Sequence, residues 1–189
     1  MAISTFGDLK TALVDWAVIP NAPLDILISE AEAKLKPIVK HYRSIKDVYI
    51  DIPESRTITL PDDVLELKFV SIDGRETKEL SLFGGNIRET EAAYERVGKD
   101  VKVYGHGELK KFRVVYWSKC VDLSNVNNTN WLLTYFPNVY LHASLVELYD
   151  WSKNAEDSAY AEQKLQQSLA LLAEDDRKWT LSGTSYSFA

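Results

Sequence analysis

The sequence predicts an α+β fold in which an antiparallel helical bundle, built from both ends of the chain, carries an inserted small antiparallel β domain. Apolar residues recur with a helical period in the first and last parts of the sequence. Between them the period changes to two, which is typical of strands with one buried face. We therefore predict a bundle from residues 1–45 and 120–180, a β insertion over 46–119 and a C-terminal arm over 181–189.

Two helices are predicted in the N-terminal part. Thr5 is the expected N-cap of the first, with Asp8 in its first turn. Pro20 and Pro23 end that helix, and Pro23 also suits the first turn of the second. Pro37 removes a backbone hydrogen bond, so the second helix should kink or end there. The predicted apolar faces are Phe6, Leu9, Leu13, Trp16 and Ala17, then Leu24, Leu27, Ile28, Ala31, Leu35, Ile38, Val39 and Tyr42.

Strands are predicted where apolar and polar residues alternate. The segments are DVYIDI, RTITL, LELKFVSID, KELSLF, AYERV, DVKVY and KKFRVVYW. Residues 98–100 and 105–107 contain glycine and are expected to be hairpin turns, and residues 60–63 to be a turn or a helix start. We expect an antiparallel meander that forms a small sandwich or an open barrel.

The helical period returns after residue 128. Thr129 is the expected cap, Pro137 splits the pattern, and the helix after Pro137 has apolar residues on two faces, which predicts burial on both sides. Asn154 with Asp157 marks the start of a last helix. Its apolar stripe consists of Ala161, Leu165, Leu169, Leu172 and Trp179, and the residues TLSGTSYSFA are expected to form a tail.

Composition and charge exclude several classes of function. The formal net charge is −6 and the sequence has no block of Lys and Arg, so specific binding to nucleic acid is not expected. The sequence contains no run of about 18 apolar residues, so a membrane span is not expected, and its first residues lack the pattern of a signal peptide. Cys120 is the single cysteine, which excludes an internal disulfide and fits synthesis in a reducing cytoplasm.

The motifs of catalysis and metal binding are missing from the sequence. His41, His106 and His142 have no companions at metal-ligand spacing, so each is expected to be structural. No G-x-S-x-G elbow is present, and Asp62 and Asp63 form an adjacent carboxylate pair that a turn explains more simply than a glycosidase. We predict no catalytic residue, no metal site and no cofactor.

Aromatic residues are the main departure from average composition, with five Trp and ten Tyr. They can fill a core or serve an interface, and composition leaves both open. Tyr186 and Phe188 alternate with small polar residues in the C-terminal segment. Such a segment is either a disordered end or an extended arm with two aromatic anchors for a partner.

The segment TNWLLTYFPNVYLHASLVELYDW resembles the head-to-tail adaptor (connector) proteins of tailed bacteriophages, particularly short-tailed ones. Other segments match in order at residues 24–32, 60–63, 94–98 and 116–124, so the resemblance covers about residues 6–180. The segment YGHGELKKF departs from the family, where a Pro-containing turn often precedes the last strand.

The resemblance implies a structural virion protein of the neck, made in the bacterial host cytoplasm. Such adaptors form a homo-oligomeric ring, commonly a dodecamer, beneath the portal protein, and a nozzle or tube protein of the tail attaches below. Genomic DNA passes through the lumen without specific binding, and no membrane is involved. Expected ring-interface residues are Trp131, Tyr135, Tyr140 and Trp151, and expected portal-binding residues are Trp179, Tyr186 and Phe188.

Three other functions remain open from the sequence. A different neck protein, such as a head-completion or tail-terminator factor, would have the same chemistry-free role. A virion-associated cell-wall hydrolase or a host-side binding module fits less well.

Overall fold

The structure is a computed structural model that describes residues 3–80 and 92–182. Within these ranges it contains five α-helices, a 3-10 helix and eight strands, and the N- and C-terminal helices flank the β region, which confirms the α+β class. The chain divides into two compact units. The helical unit comprises the described parts of Met1–Ser44 and Cys120–Ala189, and the β unit those of Ile45–Lys119.

Helix α1 (Phe6–Ala17) begins with the predicted N-cap. Thr5 and Asp8 form a reciprocal capping box, in which the Asp8 amide donates to Thr5 Oγ1 over 3.1 Å and the Thr5 amide donates to Asp8 Oδ2 over 3.0 Å. Trp16 was expected on the buried face but is 59% exposed. It lies near the end of α1, where its ring meets the edge of the His142 ring at the rim of the core.

Helix α2 (Leu24–Leu35) ends before Pro37, as predicted. Pro23 stands directly before it, and its carbonyl accepts a hydrogen bond from the Leu27 amide. Ile38 was expected to continue the apolar face, but it is exposed because the helix has already ended. A short 3-10 helix, Tyr42–Ser44, follows.

Helix α4 (Pro137–Trp151) is the centre of the helical unit. Pro137 separates it from the short α3 (Trp131–Tyr135), as predicted. Six consecutive residues, 143–148, are buried, so α4 has no solvent-facing side over this stretch. The prediction of burial on both sides is confirmed, and α1, α2, α3 and α5 (Ala155–Ser182) all contact α4.

The N-cap of α3 is Asn130, so the prediction of Thr129 was wrong by one residue. The Asn130 side chain accepts from the Leu133 amide over 2.9 Å. Its amide nitrogen also donates to the Val121 carbonyl and to the hydroxyl of Tyr140. A threonine hydroxyl could not make all three bonds, which explains why the amide side chain occupies the cap.

We expect Asn130→Ala to lower the free energy of unfolding by about 1–2 kcal/mol, because it removes a helix cap and two further hydrogen bonds. Thr129→Ala is the matched control and should change stability by less than about 0.5 kcal/mol, because its hydroxyl is exposed and bonds to the exposed hydroxyl of Thr134. Urea unfolding followed by circular dichroism compares the two. Equal losses would contradict the assignment of the cap.

Helix α5 starts where it was predicted, with the Asp157 amide donating to Asn154 Oδ1. Its stripe is buried at Ala161, Leu165 and Leu172. The helix continues to Ser182, so the prediction of an arm from residue 181 was wrong by two residues. The helix continues this far because no Gly or Pro interrupts the sequence between Ala155 and Ser182. The remaining residues of the predicted arm, 183–189, lie outside the described residues.

The described strands of the β unit are β1 Ile45–Asp51, β2 Thr57–Thr59, β3 Val64–Ile72, β4 Arg75–Glu76, β5 Lys78–Glu79, β6 Ala93–Val97, β7 Asp100–Tyr104 and β8 Lys111–Ser118. They form two four-stranded sheets, ordered β1-β8-β3-β4 and β2-β7-β6-β5. The inner faces of the sheets share one hydrophobic core, so the unit is a sandwich. The predicted alternation is confirmed in β8, where residues 112, 114 and 116 are buried.

The predicted meander is wrong, because β1 pairs with β8, β2 pairs with β7, and β5 runs parallel to β6. Only some neighbours in sequence pair, such as β6 and β7 across the predicted turn at Gly98, whose φ is 65°. Residues 105–107 are not a hairpin, since they join β7 in one sheet to β8 in the other. Arg56 donates to the carbonyls of Gly105 and Gly107 and so holds this connection.

Candidate functional site

The adjacent carboxylates Asp62 and Asp63 of the β unit form ion pairs with two different lysines. Asp62 lies 2.5 Å from Lys99 Nζ, whose hydrogen bond and charge lower the pKa of Asp62. Asp63 lies 2.5 Å from Lys46 Nζ and accepts from the Tyr116 hydroxyl; burial acts to raise the pKa of Asp63, but these bonds lower it overall. Both carboxylates are therefore held ionised in a turn, and neither is arranged as a general acid.

The three histidines are dispersed. His41 is buried, His106 is exposed, and His142 Nδ1 lies 3.0 Å from Ser168 Oγ. Across residues 3–80 and 92–182, no cluster of three or more His, Cys, Asp or Glu side chains is placed to hold a metal ion. In the same ranges, no helix has the length and hydropathy required to cross a bilayer.

Two of the predicted contact residues, Trp131 and Trp179, meet a short segment of the helical unit at residues 41 and 42. The His41 ring stacks on Trp131 with centroids 5.2 Å apart, and His41 Nε2 lies 3.2 Å from Asp175 Oδ2. Tyr42 stacks on Trp179 at 4.7 Å. We call these five residues the aromatic clasp.

Charge and backbone hydrogen bonding reinforce the aromatic clasp. The Tyr42 amide donates to Asp176 Oδ1 over 2.6 Å, and the Arg43 guanidinium lies 3.7 Å from the centroid of Tyr135. Burial lowers the pKa of His41, although the carboxylates of Asp176 and Asp175 act to raise it. The last turns of α5 are therefore fixed to residues 41–43 by stacking and by acidic side chains.

Trp179 occupies the outer position of the aromatic clasp. One face of its ring covers Tyr42, and its side chain remains 49% exposed. It lies one turn before the end of α5, next to the segment that holds Tyr186 and Phe188, which are outside the described residues. Trp151, another predicted contact residue, ends α4 and is also about half exposed.

Tyr140 is not available as a ring-interface residue, because it is only 1% exposed. Its hydroxyl accepts from Asn130 and donates to Glu32 Oε1 over 3.0 Å. Burial raises its pKa. The sequence identified it as an interface aromatic, but α4 is enclosed at this position, so the side chain serves the core.

The sequence did not reveal the partners of Trp131 and Trp179 in the aromatic clasp, namely His41, Tyr42 and Asp175. Two short runs carried a signal: His41-Tyr42-Arg43 is aromatic and basic, and residues 174–176 are acidic. Their complementary character is visible in the sequence. Their pairing is not, because about 130 residues separate them.

Comparison with known families identifies the class to which the protein belongs. The family model of the SU10 adaptor protein matches residues 4–186, which is nearly the whole chain. The chain belongs to the SU10 adaptor protein family. This is a phage head-to-tail adaptor family, so the predicted resemblance is confirmed and the protein is a structural adaptor of a bacteriophage. No curated protein matches the sequence significantly.

A buried carboxylate holds the connection into α3 of this SU10 adaptor. Glu32 Oε1 accepts from the Leu123 amide over 2.8 Å and from the Tyr140 hydroxyl. Burial raises the pKa of Glu32, while these two hydrogen bonds act to lower it. The folded state therefore holds the Glu32 proton more tightly than the unfolded state does.

This shift predicts a pH dependence of stability. The stabilisation that the raised pKa of Glu32 gives to the folded state should be fully present below the ordinary pKa of 4.5. It should be lost as pH rises through the raised pKa of the folded state. Glu32→Gln keeps an oxygen acceptor and removes the titration. Urea unfolding from pH 4 to pH 8 measures the stability of both proteins. We expect Glu32→Gln to become more stable relative to the wild type as pH rises. Parallel profiles would contradict a raised pKa.

Proposed function

We propose that this SU10 adaptor is the subunit of a ring that joins the portal of a filled phage head to the tail. The observation that carries the proposal is the family match over residues 4–186. In this arrangement the protein is part of the virion neck and is made in the cytoplasm of the bacterial host.

The surface of the helical unit supports assembly into a ring. Trp16, Ile26 and Leu171 lie on three different helices, and each is more than half exposed. Apolar side chains of this size on several faces favour protein contacts. A closed ring requires two different interfaces on each subunit, and exposed apolar residues on separate helices meet that requirement.

We assign the C-terminal end to the portal, the helical unit to neighbouring subunits and the β unit to the next tail protein. The aromatic clasp supports the first assignment, because it fixes the end of α5 and leaves Trp179 half exposed. In the sequence, Trp179 comes shortly before Tyr186 and Phe188. Ring contacts then use Trp131, Tyr135 and Trp151 without the buried Tyr140.

The charge of the protein supports a passive DNA conduit. A net charge of −6 gives the ring an acidic character, which repels the phosphate backbone and avoids strong binding. Genomic DNA can then slide through the lumen without sequence-specific contacts.

Complementation in vitro tests the proposed function. DNA-filled heads from a phage that lacks this gene are mixed with tail proteins, with or without the purified adaptor. We expect infectious tailed particles only when the adaptor is present. Tail attachment without the adaptor would contradict the proposal, as would turnover of peptidoglycan that is lost in Asp62→Asn.

A further inference from the structure

A groove of about 430 Å³ runs between α4 and α5 on the helical unit. The α4 wall consists of Asn138, His142, Leu145 and Tyr149, which follow each other at i, i+4, i+7 and i+11. This spacing places the four side chains along one stripe of the helix. The groove therefore follows α4 for about 16 Å, or three turns.

The opposite wall has the same spacing on α5, at Tyr160, Lys164, Gln167 and Leu171. Ala161 and Ser168 also line the groove, and because both are buried their small side chains form its floor. Two parallel stripes with small residues between them match the shape that accepts an amphipathic helix.

The charge in the groove restricts the helix that fits. Lys164 is the one formally charged side chain among the described residues that line the groove. Tyr160 and Leu171 on the same wall, and Trp16 beside it, are each more than half exposed. The complementary helix would be apolar or small along one stripe and would carry a carboxylate near its middle.

The protein itself has such a helix face. The exposed residues Ile26, Glu30 and Ala33 of α2 follow the spacing i, i+4 and i+7, and the exposed Pro37 comes just after the end of the helix. They combine apolar and small residues with one carboxylate. Glu30 is the second residue of this stripe, as Lys164 is the second residue of the α5 wall.

The groove and the α2 stripe belong to different sides of the helical unit. Helix α2 meets α4 through the face that carries Glu147, which lies 2.6 Å from Lys34. The groove uses the α4 face of His142 and Leu145. The exposed stripe of α2 is opposite its buried residues, so one copy cannot insert α2 into its own groove. Two such surfaces on one subunit are what a head-to-tail ring requires.

We propose that the α4–α5 groove of one copy binds the exposed face of α2 from a second copy, with Glu30 of that copy facing Lys164. This inference rests on the proposed ring, because it adds to the ring-interface residues Trp131, Tyr135 and Trp151 a pair of surfaces that join neighbouring subunits. Repetition of the same contact from copy to copy closes the ring.

Charge reversal in the full-length protein tests the proposal. Each variant is added to DNA-filled heads that carry portal, and the number of adaptor copies bound per head is counted. We expect Lys164→Glu or Glu30→Lys alone to reduce bound copies at least about tenfold, because each places like charges in contact. The double variant Glu30→Lys/Lys164→Glu should recover to within about threefold of the wild type, because the pair is restored. Gln163→Glu, at an exposed residue of α5 that is not among those lining the groove, is the control and should bind normally.

The outcomes separate this inference from the proposed function. If wild-type protein forms no ring on the heads, the proposed function fails. If the wild type forms rings but the single reversals also do, or if the double variant does not recover, the ring stands and the groove assignment is overturned. Circular dichroism verifies that each variant is folded.

Discussion

Removal of residues 183–189 is expected to reduce binding to the portal at least about 100-fold and to leave the fold unchanged. Buried aromatic anchors at interfaces are each worth about 2 kcal/mol or more, so the loss of Tyr186 and Phe188 together exceeds two orders of magnitude. The truncation point follows the end of α5 at Ser182, so every described residue of the hydrophobic core of the helical unit is retained. Co-sedimentation with purified portal measures the loss.

Full-length variants separate the side chains from the length of the segment. Tyr186→Ala/Phe188→Ala should lose binding as the truncation does, whereas Ser185→Ala/Ser187→Ala should keep it. Undiminished co-sedimentation of the truncated protein would refute the assignment of this segment to the portal. Equal binding by the two double variants would show that the aromatic rings are not the anchors.

Tyr140→Ala is expected to lower the free energy of unfolding by about 3–5 kcal/mol, because it opens a cavity in the centre of the helical core. It also leaves Glu32 and Asn130 without their shared hydroxyl partner. Tyr140→Phe retains the ring and should cost only about 1–2 kcal/mol. Urea unfolding followed at 222 nm reports on the helices directly.

Tyr135→Ala provides the matched control for Tyr140. Its ring is 54% exposed and contacts the Arg43 guanidinium, so its removal should cost less than about 1 kcal/mol. If the two alanine variants were equally stable, the different places assigned to these tyrosines in the helical unit would be wrong.

Most helix boundaries could be predicted from the sequence because they have local causes. Pro37 and Pro137 interrupt the hydrogen bonding of the helix wherever they occur, and Thr5 with Asp8 caps α1 through residues only three apart. The burial of α4 on both sides could be predicted because apolar residues lie on two of its faces. The cap at Asn130 was missed because its choice depends on Tyr140 and Val121, which lie outside the helix turn that a cap motif covers.

Strand pairing was less predictable than strand position. A period of two identifies the buried face of a strand but not its neighbour. Thus β8 was recognised from its alternation, whereas its pairing with β1, more than 60 residues earlier, was not. The glycines at 105 and 107 had the composition of a hairpin turn, yet they connect the two sheets.

The predicted contact residues were chosen by residue type, and the structure separates them by exposure. Trp131, Tyr135 and Trp179 meet residues 41–43, while Tyr140 belongs to the core. An aromatic residue on a helix with two apolar faces has no sequence signal that tells core from surface. Only the packing of α2 and α3 on α4 decides it.

A cryo-electron microscopy map of the neck of the phage that encodes this protein tests the central claim most directly. The account predicts a closed ring of this adaptor between portal and tail, with its C-terminal segment on the portal and DNA in the lumen. A neck in which portal contacts the tail without this protein, or in which the protein forms no ring, would contradict it.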